Sequence, residues 1–285
     1  MTPGARLAAA MLACASLLFA VPCGATEARE QQGSLPRGGS YVLEPDPTVS
    51  AAAVGLWFRA PGAGYDNATP GVSRLAATAA AIAPLAGGKS LYTLVRSVGG
   101  VLNINVYPDI VGIGAVVPSG SARRIVAAMT AAYFAPAIDD ATVKVARNDA
   151  AVLAVGQRYS FDSTLHDLLF KQIFATGPAH YPPVPDSIAA LSRVSPEDVA
   201  AFAKRAFRSG NAVLALAGNV DASSLSAVTD GNGNLSMDPP FASTLSGFAG
   251  ETTASGAVGG VGLAWIGPPI ADEKAATALD FVADY

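Results

Sequence analysis

The period of apolar and polar positions changes repeatedly along this chain, and each change marks an element. Residues 49–59, rich in Ala, Val, Leu, Trp and Phe with partial alternation, predict a strand, and residues 62–70 a loop. A helical period follows over 71–83 and ends at Pro84. Ser90 is placed to cap a second helix over 91–98, which Gly99 and Gly100 stop. Residues 101–107 then alternate apolar side chains with Asn103 and Asn105, and after Pro108 and Asp109 residues 110–117 run apolar, which predicts an antiparallel hairpin. Helices are predicted over 122–134, about 142–159, and 163–174, the first two separated by Pro136 and a start signal at Asp139-Asp140. Residues 177–185 are rich in turn formers. Ser195-Pro196-Glu197-Asp198 is a strong helix start, with a cap, Pro at the first helical position and an acid three residues after the cap. Its helix runs to Phe207, and residues 211–218 predict a buried strand. From 228 to 257 the composition shifts to Gly, Ser, Thr, Asn and Pro, which reads as a linker. Residues 258–266 predict a further strand, and Asp272 opens a helix. The expected division is a polar lead-in over 26–40, a domain over 41–227, and the start of a truncated second domain over 258–285.

Composition narrows what these elements can be. The sequence is 51% hydrophobic and 14% charged, enough to fill a core and too apolar for disorder. Its mean hydropathy of +0.37 comes largely from alanine. The one continuous apolar run lies at the N-terminus, where residues 1–25 carry Arg6, an apolar stretch over 7–21 and small residues at Cys23 and Ala25. This is the pattern of a secretory signal peptide cleaved after Ala25, so the expected location is periplasmic or extracellular, with no membrane span in the mature chain. Cys14 and Cys23 would leave with it, removing disulfide and thiolate chemistry. A net charge of −4 without a basic run gives no footprint for nucleic acid.

Familiar site motifs are incomplete. Gly87-Gly88-Lys89-Ser90 lacks the first Gly of a phosphate-binding loop and follows a helix rather than a strand. Asp230-Gly231-Asn232-Gly233-Asn234 opens like a calcium loop, but Leu235 stands where the turn Gly belongs. No Gly-x-Ser-x-Gly elbow or dinucleotide fingerprint is present. The histidines are His166, on an apolar helical stretch, and His180, beside Tyr181-Pro182-Pro183; both read as structural. Arg123-Arg124 reads as a solvated pair.

The order of elements, the Gly99-Gly100 hairpin, the Ser195-Pro196-Glu197-Asp198 cap and the Gly218-Asn219-Val220-Asp221 segment resemble the first half-domain of the insulinase/pitrilysin family, over about residues 41–225. That family includes the mitochondrial processing peptidases and the bc1 core proteins. The resemblance implies an α+β fold, a mixed sheet with helices on one face, and an inverted zinc motif in active members. In that motif two His on one helical face bind the metal and a Glu serves as general base. Here the family's Gly-Leu-x-His-x-x-Glu-His pattern falls on residues 71–78. Arg74 and Thr78 stand at the His positions, Ala77 at the base, and the distal ligand position falls near Ala154. No Glu occurs between Pro45 and Pro196. The resemblance therefore implies no catalytic residues, no metal and no cofactor. The expected function is that of a catalytically inactive subunit that binds extended peptides and partners a zinc-bearing homologous peptidase. The alternatives are a scaffold like the bc1 core proteins, or an active peptidase whose zinc site lies beyond Tyr285.

Overall fold

The computed structural model describes residues 30–60, 69, 71–107, 110–158, 161, 165, 169, 188–229, 231, 261–263, 267 and 272–283. Six strands form one mixed sheet: β1 (Gln31–Ser34), β2 (Ser40–Pro45), β3 (Ala51–Arg59), β4 (Val101–Val106), β5 (Ile110–Pro118) and β6 (Ala212–Gly218). They lie in the order β1-β2-β6-β3-β5-β4, with β2 and β6 parallel and every other neighbouring pair antiparallel. The helices are α1 (Val72–Ile82), α2 (Leu91–Ser97), α3 (Ala122–Phe134), α4 (Asp140–Arg158), α5 (Ile188–Arg193), α6 (Pro196–Ala206) and α7 (Glu273–Ala283).

Strand periodicity decides which face the helices cover. Along β3, Ala52, Val54, Leu56 and Phe58 are buried, whereas Ala51, Ala53, Gly55 and Trp57 face the other way and are exposed or half-buried. The same alternation puts Val111, Ile113, Ala115 and Val117 of β5 and Ala212, Leu214 and Leu216 of β6 into the core with Leu75, Ile125, Met129 and Phe202 from the helices. Phe58 is the aromatic centre, with ring centroids 5.0 Å from Phe207, 5.9 Å from Tyr133 and 6.2 Å from Phe134. The opposite face is floored by small residues, and at Gly112 a Cβ would run into the Trp57 ring, so the glycine lets the indole lie flat on the sheet.

α1 is pressed between the sheet and its helical neighbours α3, α4 and α6, which its alanines permit. Its start has no side-chain cap and Gly71 takes φ +84°, whereas α6 begins with a full capping box: Ser195 Oγ accepts from the Asp198 amide and Asp198 Oδ2 from the Ser195 amide. Arg147 of α4 donates to the carbonyls of Leu191 and Val194, satisfying the end of α5.

The β4–β5 hairpin, the caps at Ser90 and Ser195 and the helix opened by Asp272 match the sequence pattern, each boundary within a few residues, whereas α5 and β2 lie where no element was expected. Two further differences stand out. The segment read as a polar lead-in contains β1 and the first residue of β2, because Gln31–Ser34 has no apolar residue to signal a strand and is ordered by pairing with β2 under the Tyr41 ring, which lies against Gly33. Of the strand expected over 258–266, residues 261–263 are described and belong to no strand. The signal segment, the turn-rich run 177–185, His166 and His180 lie outside the described residues, as does all of the calcium-like run but Gly231. Residues 165 and 169 of the helix expected over 163–174 are described, and both are helical.

Candidate functional site

Among the residues of α1, Arg74, Thr78 and Ile82 are the three that are not buried. Their spacing of four puts them on one helical face. That face lies beside β4, which with β1 forms the edges of the described sheet, and Arg74 Nη1 donates to Ile104 O across 3.4 Å. Burial lowers the guanidinium's hold on its proton from its ordinary value, and no carboxylate among the described residues pairs with it.

Ala77 faces inward and has no exposed surface. Its carbonyl accepts from Tyr133 Oη at 2.8 Å, and burial pushes the phenol far above its usual range, so Tyr133 stays a neutral donor. Ala154 lies on α4. The residues that the resemblance places at the zinc motif do not fit the metal. A guanidinium carries no free lone pair, a methyl group offers no donor atom, and a neutral Thr hydroxyl is not among the Cys, His, Asp or Glu groups that hold zinc. No group of three or more His, Cys, Asp or Glu side chains is assembled among the described residues.

What the site does offer is backbone. The Tyr107 amide donates to Ile110 O at 2.8 Å, which fixes the hairpin phase. In an antiparallel pair, bonded and non-bonded residue pairs alternate, so the N–H and C=O groups of Leu102, Ile104 and Val106 point to the open edge of β4. The Arg74 contact with Ile104 O agrees with that phase. The side chains of Leu102, Ile104 and Val106 pack on the core, while Val101, Asn103 and Asn105 are exposed on the other face, where Tyr107 stacks on Trp57 with centroids 6.3 Å apart. The alternation of Asn with apolar residues marks β4 as a half-buried strand in the sequence; that it is an edge, and that Arg74 reaches it, has no local signal.

The cavities lie elsewhere. One of 380 Å³ lies at the far end of the sheet and is lined by Pro45, Ser119, Arg123, Asn219 and Asp221. Asp221 is occupied in capping the turn over Ala222–Ala227, and the hydrogen bonds from Ser223 hold its carboxyl below the usual range. Another of 250 Å³ is walled mostly by alanines at the ends of α1 and α3 and in the segments that follow them. Gly87-Gly88-Lys89-Ser90 forms an exposed turn closed by Gly88 N–H to Leu85 O at 2.7 Å, with no strand leading into it. Arg123 and Arg124 are exposed. No helix among the described residues is long and apolar enough to cross a membrane.

This arrangement of a six-stranded mixed sheet with helices on one face is the insulinase/pitrilysin-type half-domain fold. A protease from Helicobacter pylori is similar over 76% of this chain and 54% of its own, with 13% identity and a TM-score of 0.64. A peptidase M16 inactive domain from Pseudomonas fluorescens is similar over 74% of this chain and 54% of its own, with 18% identity and a TM-score of 0.57. In complex III of Candida albicans a chain is similar over 70% of this one and 45% of its own, with 17% identity and a TM-score of 0.56. This chain thus spans about half the length of each, and at these identities the likeness is one of fold. No protein-family model matches the sequence, and no curated protein does.

Proposed function

We propose that this chain is a catalytically silent member of the insulinase/pitrilysin family that works as a non-catalytic subunit, holding extended peptides beside a zinc-bearing homologous peptidase. The observation that carries the reading is the juxtaposition on α1 and β4. Where an active member would present metal ligands, the helix presents Arg74, Ala77 and Thr78, yet the neighbouring strand keeps an edge that no described strand covers, with outward backbone groups at Leu102, Ile104 and Val106, of which the Ile104 carbonyl takes the long bond from Arg74. An open edge binds an extended peptide by adding it as a further strand, and this needs no catalytic group. The inactive Pseudomonas domain and the complex III chain of similar fold support a non-catalytic role. The small-residue face of the sheet would form one wall of a chamber closed by the partner.

Peptide addition is tested at Ile104. Proline there removes an outward N–H and sets its ring in the path of the incoming strand, but leaves the β4–β5 ladder intact because the Ile104 amide is not part of it. A capped, alternating Thr/Val peptide bearing a fluorophore should bind the full chain saturably and lose at least tenfold in affinity to Ile104→Pro (about 1.4 kcal/mol) at unchanged far-ultraviolet circular dichroism. Equal binding by both would remove the edge from the proposal. Mixing the chain with a zinc-bearing homologue from the same host should raise that homologue's peptidase rate.

Export belongs to the same proposal, motivated by the apolar run over residues 7–21 and the small residues at Cys23 and Ala25. Protein from the envelope fraction should yield Thr26 as its first residue on N-terminal sequencing. Intact Met1 in the cytoplasmic fraction would refute it.

A further inference from the structure

Arg74 is the one charged residue of α1, and its surroundings do not account for it. Its described hydrogen bond, at 3.4 Å to Ile104 O, is longer than the 2.7–3.2 Å or so of a well-made N–H···O bond. Of the five donors that a guanidinium carries, the others meet no protein acceptor among the described residues. The group is half-buried with no carboxylate beside it among the described residues, so within them it bears the cost of lost hydration without the return of a counter-charge.

Strand register says where a counter-charge would come from. In a strand added along β4, the residue opposite Ile104 projects its side chain to the same side of the sheet as Ile104, which is the side on which α1 lies and from which Arg74 reaches the edge. Opposed residues place their Cβ atoms about 5 Å apart, within range of a guanidinium already touching Ile104 O. Ile104 stands inside β4 (Val101–Val106), so the opposing residue is internal to the added strand and offers a side-chain carboxylate, not a terminal one. The weak bond to Ile104 O can be shared with the incoming amide, since a carbonyl has two lone pairs.

We propose that Arg74 makes this edge selective for extended peptides carrying Asp or Glu opposite Ile104, whose carboxylate it receives in a forked ion pair. The proposal rests on the peptide-binding reading above. Asn103 and Asn105 point to the other face and add no charge to the choice.

The test uses capped, fluorophore-labelled Thr/Val peptides with Glu, Gln or Lys at the centre, and one without an acidic side chain but with a free C-terminal carboxylate, each titrated into the full chain at low and high salt. The Glu peptide should bind about tenfold more tightly than the Gln peptide, the gain expected of a charge-assisted bond. It should lose that advantage at high salt and in Arg74→Gln, and keep part of it in Arg74→Lys, which holds the charge but not the fork. Circular dichroism of each variant reports the fold independently. Equal affinity for Glu and Gln peptides, a preference for the terminal carboxylate, or an advantage that survives Arg74→Gln overturns the role of Arg74 while edge binding stands. Absence of binding by every peptide overturns the peptide-binding reading itself, and this inference with it.

Discussion

Phe58→Ala is expected to cost about 3–5 kcal/mol, the range for removing a fully buried aromatic ring from a core. The side chain has no exposed surface and contacts Phe207, Tyr133 and Phe134, the last two on α3, so the cavity left behind would sit where the sheet meets the helices and could not fill from one side. Against a total of roughly 5–15 kcal/mol for a typical domain this is a large fraction. Urea unfolding of the full chain should show the midpoint falling with little change in slope. Val116→Ala on the opposite face, where the side chain is 51% exposed, should change stability by less than about 0.5 kcal/mol. Comparable losses at the two positions would mean that the sheet is covered on both faces.

The second large effect concerns the helix that would bear zinc in an active relative. Ala77→Glu should cost about 3–5 kcal/mol, because the position is closed to solvent and its carbonyl is engaged by Tyr133, so a carboxyl group there is both overpacked and dehydrated. Arg74→His with Thr78→His should be tolerated, since both positions are half-buried on one face, and should give zinc affinity well above that of the native chain, read by titration calorimetry and elemental analysis after gel filtration. Stoichiometric zinc in the native chain would overturn the alignment of residues 71–78 with the zinc motif. A folded double variant that takes up no more zinc than the native chain would do the same.

Behind the two outcomes lies a physical difference between a missing ligand and missing space. Arg74 and Thr78 stand half-buried on the face of α1 that lies beside β4, whereas Ala77 is enclosed by packing. Eight of the eleven residues of the helix are buried, six of them alanines or leucine. A carboxylate at position 77 therefore requires displacement of a neighbour as well as a substitution.

Much of this was legible along the chain. Ser90 and Ser195 announce helices because a side-chain oxygen followed by helix formers satisfies amides that lack partners, and the structure shows both caps closed. The β4–β5 hairpin is legible because alternation with Asn103 and Asn105 admits one face to the core. β1 was not, since Gln31–Ser34 carries no pattern and becomes a strand through the hydrogen bonds that β2 supplies. The burial of Ala77 was equally invisible: an alanine in an alanine-rich helix has the same local signal on either face, and what covers it comes from segments distant in sequence, Tyr133 among them.

Residue type and spacing along the chain carry the caps at Ser90 and Ser195, strands β3 and β6, the β4–β5 hairpin and most of the helices, and they show that no imidazole or carboxylate stands at the positions matched to the zinc motif; they do not carry β1, β2 or α5. The tertiary structure decided the rest. Among the described residues strand order makes β4 an edge and packing covers one face of the sheet, and the meeting of α1 with β4 brings Arg74 to the carbonyl of Ile104, thirty residues away. Such contacts are set by how the elements pack in three dimensions, and local propensity carries no record of them.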